Sequence, residues 1–174
     1  MTSPQNQQYN LNILKKVHFF CQIKNLFFYC ALIQSGSITF IKFIQVIIMK
    51  RVQVDLEYIF KASPAILYTF ITTPACLVRW YCEEVDIQND VFSFYWSGSK
   101  ERAIMLDDIE EERVRFQWEN AEDESEYLEF RMYKSDVTNE TILEITDFCD
   151  EGEQDETKDI WDNLMTELKK ECGG

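Results

Sequence analysis

Histidine is nearly missing from this chain: among 174 residues there is one, His18. Beyond residue 48 there is none. That stretch cannot build a Ser-His-Asp or Cys-His nucleophile system, or the transition-metal sites that rely on imidazole. Glycine is almost as scarce. Gly98, Gly152, Gly173 and Gly174 are too scattered there to cradle a phosphate. Cys76, Cys82, Cys149 and Cys172 form no CxxC pair and have no histidine to complete a zinc set. They read as free thiols of a reducing cytoplasm, with a Cys76–Cys82 disulfide as the minor alternative. No metal and no cofactor is implied. The segment DFCDEGEQDE is rich in oxygen ligands but lacks the alternating spacing and sixth-position glycine of a calcium loop.

Long apolar runs are missing too. A membrane span needs about 20 mostly apolar residues. Between Lys24 and Lys42 the apolar core is only LFFYCALI, so no span is expected. Residues 1–48 also lack acid altogether: they hold Lys15, Lys16, Lys24, Lys42 and His18 but no Asp or Glu. Half of these 48 residues are Phe, Ile, Lys, Asn or Tyr, the residues that AT-rich codons encode. They read as mis-translated upstream DNA, with Met49 as initiator, or as a disordered extension. A secretory signal or membrane-associated segment is the alternative, weakened by Lys24 within its apolar region.

What remains, residues 49–174, carries all 31 acidic and 13 basic residues, a formal charge of −18. Such a surface excludes nucleic acid, whose phosphates need cations, and an anionic membrane. The length suits one domain with a real core, and all four tryptophans lie here.

Periodicity outlines the fold. Val52, Val54, Leu56, Tyr58 and Phe60 alternate with polar neighbours, a half-buried strand. Ser63 and Pro64 suit the start of a helix with an Ile66, Leu67, Phe70, Ile71 stripe. Thr73-Pro74 ends it and begins a shorter helix through Leu77, Val78 and Trp80. Strand patterns follow at 82–88, 91–97, 101–108, 112–119, 126–134 and 140–149, separated by turns such as QND, SGSK and DVTNE. In VRFQWE and YLEFRMY the alternation predicts an antiparallel sheet with one wet face, where Glu129 and Arg131 lie. A helix over 154–171 carries Ile160, Trp161, Leu164, Met165, Leu168 and Cys172 at helical spacing. Acids begin that helix, and Lys169 and Lys170 end it, as its dipole favours.

This order, with the motif IFKASPAILYTFITTPACLVRWY, resembles the START-like (SRPBCC, helix-grip) superfamily, closest to its heat-shock-ATPase-activator-homologue branch. The matching positions are Ala62, Ser63, Pro64, Phe70, Thr73, Pro74 and Trp80, with Trp161, Leu164 and Leu168 in the last helix. The run also resembles uncharacterised small acidic START-like proteins of Bacteroidetes, which begin at the equivalent of MKRVQVDLEYIF. The resemblance implies an α+β helix-grip fold: a seven-stranded curved antiparallel sheet around a long C-terminal helix, with two short helices after the first strand.

Three functions follow as expectations. In the first, a cavity between sheet and helix binds a small apolar or amphipathic ligand. Its lining would come from Phe70, Leu77, Trp80, Phe94, Trp96, Leu106, Phe116, Trp118, Phe130, Met132, Leu143, Trp161 and Met165. The plainer reading is that these side chains simply fill a core. In the second, the acidic surface docks a basic protein, in the manner of a co-chaperone. In the third, a cyclase- or hydrolase-type enzyme uses an inward acid or base, drawn from Asp147, Glu144, Tyr58 or Tyr95. Asp147 reads more naturally as a turn cap at its strand end, and no nucleophile–base pair is visible, so the reading leans against catalysis. A homodimer through an exposed sheet edge is left open.

Overall fold

The computed structural model describes residues 50–121 and 123–173. The expectations for residues 1–48, including Met49 as initiator, lie outside the described residues. Seven strands and three helices are present among those described: β1 Arg51–Phe60, α1 Pro64–Thr72, α2 Pro74–Leu77, β2 Glu84–Gln88, β3 Val91–Trp96, β4 Ser99–Ile109, β5 Arg113–Trp118, β6 Leu128–Lys134, β7 Thr141–Asp150 and α3 Gln154–Cys172. The strands form one curved antiparallel sheet in the order β1-β7-β6-β5-β4-β3-β2.

Local chemistry explains most boundaries. Ser63 is extended and its hydroxyl accepts from the Ile66 amide, while Pro64 supplies a preset first turn for α1. Thr73 ends α1, and Pro74 begins α2 at a position where its missing N–H would have had no partner within the helix. The second helix stops at Leu77, short of the expected Trp80; residues 78–81 continue as turns. Strand β2 starts at Glu84, leaving Cys82 outside it. Trp96 pairs directly with Ser99, so β3 and β4 are joined by the two-residue turn Ser97-Gly98. Both of its residues have positive φ, 48° and 88°, the twist that a tight hairpin requires.

Register assigns the faces. Val114, Phe116, Leu128, Phe130, Met132, Leu143 and Ile145 are at most 3% exposed and lie on the concave side. The helix α3 buries Ile160, Trp161, Leu164, Met165 and Leu168 on its sheet-facing stripe. Trp161 meets Phe130 edge-on at 5.7 Å, which places the helix across the sheet. Removing an aliphatic side chain of this kind from water stabilises the fold by about 1.5–3 kcal/mol. Tyr58 of β1 donates to Asp162 of α3 at 2.8 Å, a second tie between sheet and helix. Asp155 and Glu156 occupy the first turn of α3, and Lys169 and Lys170 the last.

Strand β4 departs from the expected alternation. Ala103 faces Trp118 and Met105 faces Phe116, but the next pair is Asp107 with Arg115. The register slips at Leu106, which has no counterpart on β5 and is 51% exposed. Its assignment to the cavity lining is therefore corrected: the inward positions are Ala103 and Met105, and Leu106 is out of phase with both.

Candidate functional site

The interior of the grip is built around the turn after α2. The Trp80 indole N–H donates to the Phe70 carbonyl at 3.0 Å, tying this turn to α1. The Trp96 indole N–H donates to the Tyr81 carbonyl at 2.8 Å, tying it to β3. Tyr81 is thereby held against Phe94, Trp96 and Trp161, at ring-centre distances of 5.2, 5.6 and 6.4 Å. Burial is the main cause that pushes its phenol well above the ordinary tyrosine range, with Asp147 adding to it.

Beneath this cluster lies a cavity of about 10 Å³. Leu77, Trp80, Phe94, Phe116, Trp118 and Phe130, all expected, form part of its wall. Ile71, Tyr81 and Leu128 complete it. Ile71 belongs to the α1 stripe, and Leu128 to the apolar face of β6, so periodicity alone could have included both. Tyr81 sits in a turn, where no period marks a side chain as inward. Phe70, Trp96, Met132, Leu143, Trp161 and Met165 are not in the wall. Met132, Leu143 and Met165 are almost completely buried in the packed core. Trp96 and Trp161 press on Tyr81, and Phe70 lies under the Arg79 guanidinium at 5.4 Å. Leu106 lies outside the set altogether.

Volume decides what this space can hold. A void of about 10–15 Å³ is the minimum for one water, whereas small-molecule pockets run to about 300–1,000 Å³. In this conformation the nine side chains of the wall leave this cavity too small for an organic ligand.

The candidate acids and bases are all engaged. Asp147 lies within β7, which continues to Asp150, so it does not cap a turn at the strand end. Its carboxylate accepts from the Trp161 indole at 2.9 Å and from the Phe148 amide at 2.8 Å. Glu144 accepts from the Tyr133 hydroxyl at 3.0 Å on the outer face. Tyr58 is bound to Asp162, and burial first, then that carboxylate, raises its phenol beyond use near neutral pH. Tyr95 lies under the Lys100 ammonium at 5.4 Å. Cys76 and Cys82 are free thiols, so the disulfide between them is absent. Burial pushes the Cys82 thiol up to about 12, which makes it a poor nucleophile.

The outer face carries a charge lattice. Glu129, on the wet side of β6, is nevertheless only 6% exposed. Arg115 from β5 donates to it through Nε at 2.8 Å and also through Nη2. Arg131 approaches at 3.4 Å and Arg113 at 3.9 Å. Arg113 is also paired with Asp107 of β4 through Nε at 2.8 Å. Alternation placed Glu129 and Arg131 on this wet face; it did not show a carboxylate enclosed by three guanidinium groups. The cause is register, which sets Arg115 directly opposite Glu129, with Arg113 opposite Arg131.

A helix gripped by a curved antiparallel sheet, with two short helices after the first strand and an aromatic interior, defines a helix-grip domain. The family model for the START-like superfamily domain matches residues 48–174, and the chain belongs to that superfamily. It is 32% identical to a Bacteroides fragilis protein solved in solution by NMR, over 71% of this chain and 93% of that one, with a TM-score of 0.53. It is similar in fold to the Aha1 dimer of Colwellia psychrerythraea, with 19% identity, coverage of 70% and 96%, and a TM-score of 0.60. A Mesorhizobium loti protein, 14% identical with coverage of 69% and 96%, gives a TM-score of 0.58. No curated protein matches the chain. No helix among the described residues is long and apolar enough to cross a membrane.

Proposed function

We propose that this START-like domain works through its surface, as an acidic module that docks on a basic protein, while the grip interior serves as its packed core. The observation that carries this reading is the cavity around Tyr81, which among the described residues holds only about 10 Å³. The charge of −18 over residues 49–174 supports it, because a surface of one sign accelerates encounter with a partner of the other. A cytoplasmic setting, with its thiols kept reduced, belongs to the same reading. The test uses the protein purified from its source at low and high salt. A basic protein should co-purify at low ionic strength and leave at high, and a dansyl-labelled C11 fatty acid should show no saturable binding. One-to-one binding of that probe, without a salt-sensitive partner, overturns the proposal.

A second reading keeps the expected small apolar or amphipathic ligand. What favours it is the wall, which consists wholly of apolar and aromatic residues. On this reading α3 lifts from the sheet, parting Trp161 from Asp147 and Tyr58 from Asp162, to open a space of about 300 Å³ or more. Weakening a tie would then favour the open form and raise affinity. Saturable binding of the fatty-acid probe that tightens in Tyr58→Phe selects this reading; binding in neither protein rejects it.

A further inference from the structure

We propose that the partner docks on the outer face of β4 around its bulge, and that it presents a basic amphipathic segment, apolar on one side and rich in lysine or arginine on the other. This rests on the interaction reading above and adds the surface and the chemistry of what it takes. Ile104, Leu106 and Ile109 are 38%, 51% and 37% exposed, three large aliphatic side chains on one strand. Val91, directly opposite Ile104 on β3, widens the patch. Single exposed aliphatics are ordinary on a protein surface, but a contiguous group on a wet sheet face is not. The bulge adds to it, since it leaves Leu106 without a counterpart on β5.

The rim of this patch is acidic. Asp90 is exposed beside it, its carbonyl accepting from the Met105 amide at 2.7 Å. Asp107, which follows Leu106, is taken up by Arg113, and the exposed run Glu110, Glu111, Glu112 continues the border from Ile109. The nearby cations are committed within the domain: Arg102 to Glu119, Arg113 to Asp107, and Arg115 to Glu129. An apolar centre with an acidic border complements a segment that is apolar and basic, with the aliphatic contact giving affinity and the border giving orientation and speed. A second copy of this chain is a poor occupant, because each copy brings the same excess of acid.

The probe is a fluorescein-labelled helical peptide of about 18 residues with one leucine face and one lysine face, compared with a peptide in which serine replaces leucine. Anisotropy is measured with the full chain at low salt. Wild type should bind the leucine–lysine peptide about tenfold more tightly than the serine–lysine peptide. Ile104→Ser combined with Leu106→Ser should abolish that difference while leaving the unfolding midpoint unchanged. Glu110→Gln, Glu111→Gln and Glu112→Gln together should weaken both peptides. If the serine double variant keeps the full preference for leucine, the patch is not the dock, although an acidic module binding elsewhere survives. If wild type binds neither peptide, the interaction reading fails with it. Sedimentation of wild type as a dimer that Leu106→Ser dissociates overturns the basic partner in favour of a second copy.

Discussion

Trp161 of α3 donates its indole N–H to the Asp147 carboxylate of β7 at 2.9 Å. The bond joins the long helix to the sheet where Trp161 also packs on Tyr81 and Phe130. It satisfies a polar group that would otherwise be enclosed by rings. Asp147→Leu should cost about 1–3 kcal/mol, because the indole N–H loses its acceptor, whereas Asp147→Asn keeps an acceptor and should cost less. Urea denaturation of both variants measures the difference; equal loss in the two would show that the carboxylate charge, not the hydrogen bond, holds the helix.

Glu129→Gln should be among the more damaging substitutions on the outer face. It leaves Arg115, Arg131 and Arg113 facing one another around a neutral amide. A fully buried ion pair broken in this way costs about 3–5 kcal/mol; about 2–3 is expected here because the guanidinium groups reach solvent. Glu119→Gln, which breaks only the exposed pair with Arg102, should leave the denaturation midpoint nearly unchanged.

Alkaline pH should unfold the domain earlier than an ordinary tyrosine content implies. Burial first, and then its bond to Asp108, raises the Tyr68 phenol to about 12, and Tyr58 and Tyr81 are shifted in the same direction. In the unfolded chain these groups ionise near pH 10, while the folded chain still holds their protons. The unfolded state then binds fewer protons, so stability is complete below pH 10 and falls as pH rises above it. Thermal melts between neutrality and pH 11 check the sign, and Tyr58→Phe should flatten the slope.

Thiol chemistry should separate the cysteines. Cys82 is buried, with its thiol pushed up to about 12, whereas Cys76 is partly exposed. Iodoacetamide at mildly alkaline pH should label Cys76 in the folded protein and spare Cys82 until denaturant is added. Peptide mass mapping reads the two sites separately.

Much of the architecture was legible because periodicity and punctuation agreed. Ser63-Pro64 and Thr73-Pro74 marked two helix starts, and VRFQWE and YLEFRMY showed their inward residues directly. Leu106 was misread because the phase of its strand was not fixed: with Ala103 and Met105 inward, alternation turns Ile104 and Leu106 outward. Tyr81 was missed because a turn has no period. Whether the grip is hollow could not be read at all. The same aromatic list fits a wide pocket or a filled one, and the outcome depends on how Trp80, Tyr81, Phe94 and Trp118 settle against one another. The enclosure of Glu129 depended on the pairing register of β5 with β6, which alternation within either strand leaves open.

The small size of the cavity around Tyr81 also bears on how the molecule responds to compression. Hydrostatic pressure unfolds proteins partly by eliminating voids that the native packing holds open, and the volume change scales with them. A domain whose central hollow is no larger than a water molecule gives pressure little to work on. It should therefore stay folded under compression that opens a domain of the same size with large internal voids.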